Sequence, residues 1–588
     1  MYLSKGTTGM AAVFDLVIRN GTILDGSGEA AVDGDVAISG GKIAAVGKVS
    51  GSGREEIEAK GKLVTPGFVD IHTHYDGQAT WSDRFSPSSN HGVTSVVMGN
   101  CGVGFAPCRP DHREMLLQVM EGVEEIPKPV LAEGVTWTWE SFPEYLDSLS
   151  RMRYDLDCAT LVPHAAVRVY VMGKRGADRE PATQQDAIRM SALVKEGLEA
   201  GALGFSTSRT MIHRLTDGTL APTITAGEEE LTAIALGMKE TGKGIIQLTG
   251  DDYDVAQDGV TGLAMWRRIV ESSGRPLSMA LFQKSRLYKE KWRLSLKFLE
   301  EAHRDGLPIR AQVSNRAVGV LMGLDCERNA FTGCPSFEKI QHLPLDQKVA
   351  EMRKPDMRAR LLSEEPYDAN PGKLVQLRGF EQMFLLGDPP NYTPAKDSHI
   401  AALAAQRGVP VLELAYDLML ENDGRTIFYF PANNYFDFNF DAVEAMMRHP
   451  LTFQGTGDGG AHVGTICDAS LTTHMLTYWT RDRRDGEKVP LPWAVQELTS
   501  KTADFFGLKD RGYLKPGYKA DVNVIDYDRL HLHAPRAVHD LPAGGKRLFQ
   551  KADGYVATIC GGEITYREGV ATGALPGRLV RGAQAAPV

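Results

Sequence analysis

The chain of 588 residues has no uninterrupted apolar stretch approaching the ~20 residues that would span a bilayer, which argues against a membrane-spanning helix. It also has no excess of positive charge. Its 65 Lys and Arg stand against 75 Asp and Glu, a formal net charge of −10. A surface that tracks a nucleic-acid backbone needs concentrated cations, so nucleic acid is not expected as the main partner. Cysteine is scarce: there are seven, with no CxxC pair and no regular spacing. An odd, sparse set in so long a chain reads as free thiols in a reducing compartment, and a cytoplasmic protein is expected. No GxSxG elbow, no Walker-type GxxxxGK and no GxGxxG after a strand are found, which argues against serine-hydrolase and nucleotide-dependent chemistry. The opening MYLSKGTTGMAAVFDLVIRNG has neither a long apolar core nor a small-residue cleavage site, so it does not read as a signal peptide. Met10 directly precedes the first strand-like segment, and the first nine residues are expected to be an upstream extension or a disordered arm.

What is present is a globular composition, 43% hydrophobic and 24% charged. The first segment, FDLVIRNGTILDG followed by GDVAISGGKIAAVG, alternates apolar and polar residues, with Asn20-Gly21 and Gly40-Gly41 as turns. The same texture returns in ADVNVIDYD and GYVATICGGEITYREG near the C-terminus. Neither piece alone buries much, so both ends (12–65 and 514–575) are expected to share one small β-sandwich domain. Between them, over 66–513, eight short apolar runs alternate with helical patterns: 68–72, 93–98, 158–163, 203–206, 244–249, 277–282, 308–313 and 451–456. In one separating helix Ala187, Met190, Val194 and Leu198 share a face and Gly201 ends it; Trp292, Leu296 and Leu299 repeat the pattern in another. Eight strand–helix units suffice to close a parallel barrel, so the expected fold is α/β, a (β/α)8 TIM-type barrel. About 140 residues separate the seventh and eighth runs, which places an inserted subdomain at 314–440, either a lid over the barrel mouth or an ordinary surface elaboration.

Three segments carry candidate chemistry. In LVTPGFVDIHTHYDGQ, His72 and His74 sit at i and i+2, on one side of a strand, where two imidazoles can converge on a metal. In GVTSVVMGNCGVGFAP, Cys101 follows a strand between Gly99 and Gly102; its thiolate would suit zinc, although alone it reads as a buried, inert cysteine. In LTFQGTGDGGAHVG, Asp458 ends the eighth run, where a carboxylate can bind a metal and accept a proton; DGG is equally good turn chemistry. His462, four residues on, is either an outer contact of the site or exposed.

The order of these motifs, with VPHAAVRVYVMG, REPAT before a helix, AGALGFSTS and LKPGYKADVNVID, resembles the amidohydrolase superfamily. Within it the chain is similar to the N-acyl-D-amino-acid deacylases, or D-aminoacylases, over nearly its whole length, with about 310–440 the least matched. The resemblance implies metal ligands at His72, His74, Cys101 and Asp458, with Asp458 as general base to a metal-activated water. It implies zinc, with other divalent metals compatible; the departures at strands five and six point to one ion rather than two. It also suggests substrate contacts at His164 and Arg168, with Arg209 and His213 as further candidates; an arginine fork suits a free carboxylate. The implied partner is a small-molecule N-acyl substrate, without nucleic acid or membrane, and a homo-oligomer is left open. The chain departs from the family at the ends of strands five and six. The resemblance implies one histidine at the end of each of those strands; both are missing here, no histidine occurs between His213 and His303, and Gln247 and Gln283, the nearby oxygen donors, are further candidates for substrate contact. Hydrolysis of an N-acyl-D-amino acid is the expected activity; the rivals are hydrolysis of a cyclic amide or another amidohydrolase substrate, and a non-catalytic binding protein.

Overall fold

The computed structural model describes residues 13–251, 260–284 and 286–588. The expectation for the first nine residues lies outside this range.

The two chain ends share one nine-stranded sheet. Strand Val13–Ile23 lies antiparallel to Val32–Ser39 and parallel to Ser52–Glu58, and its end runs parallel to Leu63–Pro66. From the other end of the chain, Val522–Ile525 adds antiparallel to Leu63–Pro66, and Tyr555–Cys560, Glu563–Arg567 and Val570–Ala571 follow outward. The sandwich expected from both ends is thus one continuous hydrogen-bonded sheet. Its apolar core draws Leu16, Ile18, Val36 and Ile38 from the first half and Val522, Val524, Ala557 and Ile559 from the second.

Leu63–Pro66 leads through Gly67 into the barrel. Its strands are β1 (Phe68–Asp70), β2 (Val93–Met98), β3 (Asp157–Thr160, continued by Val162–Pro163), β4 (Gly204–Arg209), β5 (Ile245–Gly250), β6 (Leu277–Ala280), β7 (Ile309–Val313) and β8 (Thr452–Gln454). Each pairs in parallel with the next. The ring closes where β1 and β8 run out: Thr73 bridges Gly459 in parallel, and the N–H of Asp458 donates to the His72 carbonyl at 3.0 Å. The helix Gln184–Ala200 is capped by Thr183 in a capping box with Asp186 and stopped by left-handed Gly201; it buries Ala187, Met190, Val194 and Leu198.

Between β7 and β8 the chain builds a unit with its own core, including Met322, Phe331, Met352, Leu361, Met419 and Phe428, and a three-stranded antiparallel sheet. Arg316, fully buried at its root, binds Asp468 (3.0 Å) and the Cys467 carbonyl (3.1 Å) and lies 3.9 Å over the Tyr392 ring. Cys467 and Asp468 belong to the loop after β8 and Tyr392 to the insertion, so the insertion is tied to the C-terminal end of the barrel strands.

Candidate metal centre

His72 and His74 continue the extended line of β1 one step past its end. Thr73 between them spends its N–H and hydroxyl on the Val97 carbonyl at 3.0 and 2.9 Å, which turns both imidazoles the same way. Their ring centroids lie 5.4 Å apart, and both side chains are buried. Cys101 sits in the tight loop after β2. Gly99 enters it at φ 79°, and a Cβ there would lie 2.5 Å from the Leu161 carbonyl oxygen, so only glycine fits. The loop is held from three sides: Gly99 N–H donates to the Asp76 carboxylate (3.1 Å), Cys101 N–H to Gln247 Oε1 (3.0 Å) and Gly102 N–H to Ser206 Oγ (3.1 Å). Asp458 arrives from β8 in a left-handed conformation, φ 47°, and Cys101 has φ 55°. Such backbone is costly for residues with a Cβ and persists where the surroundings over-determine it. Gly457 makes the approach possible, since a Cβ there would lie 2.2 Å from Asp70 Oδ2.

The donor atoms of His72, His74 and Cys101 all lie within 4.8 Å of one another. Cys101 Sγ is 3.4 Å from His72 Nε2, and Asp458 Oδ1 is 3.5 Å from His72 Nε2 and 3.7 Å from His74 Nε2. Zinc–ligand bonds of ~2.0–2.3 Å put neighbouring donors of a tetrahedron about 3.4–3.6 Å apart, so these separations suit a small divalent ion. The tautomer also suits it. His72 Nδ1 faces Gln312 Oε1 at 2.8 Å, an acceptor, so Nδ1 carries the proton and Nε2 keeps its lone pair for the site. Two imidazoles, a thiol and a carboxylate form a donor set appropriate to zinc.

The electrostatics have the same cause. Burial pushes the His72 imidazole toward its neutral form, yet Cys101 and then Asp458 hold its pKa up at about 9. Burial likewise opposes charge on His74, and Glu124 foremost raises it well above the ordinary value. Asp458 is held down to about 2, because its hydrogen bond to His74 and the charges of both imidazoles outweigh burial. The Cys101 thiol is lowered against the burial effect, chiefly by His72. The cluster concentrates anionic donors where a cation fits.

Glu124 was not anticipated from the sequence. It ends the helix Arg113–Glu124 and is 2% exposed. Its Oε2 lies 3.5 Å from His74 Nε2 and 3.7 Å from His462 Nε2. His462 Nδ1 lies 3.2 Å from Glu125, which also binds Arg328 and Lys373 of the insertion, the latter at 2.7 Å. In the sequence, EGVEEIPKP looks like an ordinary solvated charge run; only a buried Glu124 between apolar Val123 and Ile126 hints otherwise. Gln312 was likewise missed, although a polar side chain in the apolar run PIRAQV is the trace it leaves.

The amidohydrolase family profile matches residues 55–566. The chain belongs to the amidohydrolase family. It is 25% identical over 580 residues to the D-aminoacylase of Alcaligenes xylosoxydans xylosoxydans, covering 96% of this chain and 97% of that one. Its fold is shared with a solved D-aminoacylase studied for its binuclear metal centre (TM-score 0.65, 22% identity, 97% of this chain and 100% of that one). It is shared equally with the N-acyl-D-glutamate deacylase of Bordetella bronchiseptica, solved with zinc and a phosphonate inhibitor (TM-score 0.63, 21% identity, 97% and 100% covered).

The remaining candidate residues of this amidohydrolase fall into two groups. His164 and Arg168 are fully buried around Glu230: His164 Nε2 lies 2.8 Å from its carboxylate, Arg168 Nη1 makes a two-oxygen contact with it, and Arg168 Nη2 donates to the Glu180 carbonyl at 2.7 Å. The guanidinium is thus engaged by an internal carboxylate. Gln283 is engaged internally as well. Its backbone pairs with Asn434, its Nε2 donates to Asp437 (3.3 Å) and its Oε1 accepts from Phe436 N–H (3.4 Å), so it stitches a loop. Gln247 is fully buried and holds the Cys101 loop, its Nε2 donating to Thr249 at 3.1 Å. His213 stays by the centre: Nδ1 pairs with Ser208 Oγ at 2.8 Å, and burial, then the charges of His462 and His74, hold it neutral with a pKa lowered to about 3. Arg209 ends β4, its Nη1 against the Met265 sulfur at 3.2 Å. Among the described residues, His531, His533 and Asp553 form one further group of metal-ligand type, on the surface, where Lys551 already pairs with the carboxylate at 2.8 Å.

Proposed function

We propose that the chain is a metal-dependent hydrolase of a carbon–nitrogen amide bond, removing the acyl group from an N-acyl-D-amino acid. The observation that carries this reading is the convergence of His72, His74 and Cys101, with Asp458 Oδ1 at 3.5 and 3.7 Å from the two imidazoles, at the open end of the barrel. The D-aminoacylase relative supports the reaction and the zinc-bound deacylase of the same fold supports the metal. The donor set suits one zinc ion held by His72, His74, Cys101 and Asp458. When bound, zinc supplies Lewis acidity toward an amide carbonyl and lowers the pKa of water.

The chain's own residues do the rest. Asp458 Oδ1 faces the centre as an ionised carboxylate, placed to accept a proton from the attacking water and return it to the departing amine nitrogen. Gln312 keeps the His72 tautomer fixed, and Gln247 and Ser206 hold the Cys101 loop rigid. His213, neutral and half-buried, is the polar group proposed to contact the substrate, with Arg209 nearby in sequence as the cation for its carboxylate. Seven free, buried cysteines suit a reducing compartment, and we place the protein in the cytoplasm.

The test is a hydrolysis panel of N-acetyl-D-amino acids, their L-enantiomers and cyclic imides, with and without chelator. Turnover confined to D-substrates and abolished by the chelator is expected. Turnover of cyclic imides alone would move the substrate class, and chelator-resistant turnover would remove the metal from the reaction.

A further inference from the structure

We propose that Glu124 is itself a ligand of the metal centre, held in place by His462 and Glu125. The proposal rests on the metal-dependent reading above. Glu124 is 2% exposed, and its Oε1 has no hydrogen-bond partner among the described residues. A buried carboxylate needs compensating charge. Its other oxygen faces two imidazoles, His74 Nε2 at 3.5 Å and His462 Nε2 at 3.7 Å, both beyond ordinary hydrogen-bond length. Arg328 and Lys373 contribute their contacts to Glu125 instead. Glu124 therefore faces the same nitrogen of His74 that Asp458 faces, with an oxygen to spare. A cation shared with His74 satisfies it.

The chain route explains how the carboxylate gets there. Helix Arg113–Glu124 ends at the centre, and Glu125 takes a left-handed conformation, φ 54°. That turn sends the two successive carboxylates apart, Glu124 toward His74 and Glu125 toward the insertion. His462 stands between them, its Nδ1 3.2 Å from Glu125 and its Nε2 3.7 Å from Glu124, while its N–H donates to the Glu124 carbonyl. His462 is a positioning residue. No histidine stands at the ends of β5 and β6, and Gln247 and Gln283 there are committed to the Cys101 loop and to the segment 434–437. The extra donor comes from a helix end instead of a strand end.

The test uses the full chain, stripped with chelator and reloaded with Zn2+ or Co2+, in the wild type and in Glu124→Gln, Glu124→Asp and His462→Phe. Metal affinity is read by competition with a chromophoric chelator, and the cobalt form by its visible spectrum, in which the Cys101 charge-transfer band reports the rest of the site. Glu124→Gln and Glu124→Asp are expected to weaken affinity at least a hundredfold and alter the cobalt d–d bands while the thiolate band persists. His462→Phe is expected to weaken it about tenfold, the scale of losing an outer partner. Wild-type affinity and an unchanged cobalt spectrum in Glu124→Gln, or a lower melting point with intact metal uptake, would make Glu124 a structural partner of His74 and overturn the proposal. A wild type that takes up no metal would bring down the metal-dependent reading as well, and the two failures are thereby told apart.

Discussion

Replacing Gln312 by Leu tests how the centre is built without touching any donor to the metal. Gln312 Oε1 accepts from His72 Nδ1 at 2.8 Å, and its Nε2 donates to Ser278 Oγ at 2.7 Å. Gln312 is fully buried and His72 is 2% exposed, so water cannot replace the lost acceptor. Stranding a buried N–H costs about 1–3 kcal/mol. The imidazole also loses the partner that fixes its tautomer, which for such outer contacts weakens metal binding about 10–100-fold, or about 1.4–2.8 kcal/mol at 1.4 per decade. The assay is chelator competition for zinc, paired with denaturant melts of the stripped protein. Gln312→Glu serves as the control, because a carboxylate keeps an acceptor on Nδ1 and is expected to hold metal at least as well as the wild type. Unchanged affinity in Gln312→Leu would refute the tautomer argument. Equal losses in Leu and Glu variants would show that packing around Ser278, and not the acceptor, was at stake.

Cys101 alone among the seven cysteines has a lowered pKa, the six others being raised by burial, so iodoacetamide should label the stripped protein at Cys101 first and metal should protect it; peptide mapping that finds another cysteine labelled first would contradict this. Arg168→Met should destabilise the fold by about 3–5 kcal/mol by taking the guanidinium partner from the buried Glu230 while leaving KM for a carboxylate substrate unchanged; a large rise in KM with normal stability would place Arg168 at the substrate. Asp157, at the start of β3, is buried against Arg511 (2.7 Å) and Lys519 (3.1 Å), and although burial raises its pKa, Lys519 and Arg511 pull it below the ordinary range. A depressed folded pKa contributes stability that is present above the unfolded value of ~3.9 and is lost as pH falls below it. Asp157→Asn should therefore cost about 3–5 kcal/mol at neutral pH and flatten the acid limb of a melting-versus-pH curve; an unaltered acid limb would exclude Asp157 as its source.

The parts of the structure legible beforehand are those whose cause is local. Each of the eight apolar runs coincides with a barrel strand, because a strand buried on both faces must be a short apolar or β-branched segment. His72 and His74 could be read as a pair because a strand's period of two is itself local, and Gly99 because a loop that brushes the Leu161 carbonyl admits no Cβ. Glu124 and Gln312 were hidden for the opposite reason. Their meaning depends on what lies across the barrel, His74 for one and His72 for the other, and nothing in the flanking residues records that neighbour. His164 and Arg168 show the same dependence: a polar pair on a helix invites a partner, and the partner the fold supplies is Glu230, on the helix Glu228–Thr241. The single sheet made from both ends was legible as texture, although its continuity across Leu63–Pro66 and Val522–Ile525 was not.

That seam has a consequence for synthesis. The imidazole pair leaves the ribosome early, whereas Asp458, the last barrel strand and the C-terminal half of the shared sheet emerge much later. A nascent chain must therefore keep an open barrel edge and an unfinished N-terminal sheet in solution for most of its synthesis. Truncations that remove only Val522–Ala571, far from any reacting atom, would deprive both unfinished pieces of their closing partner.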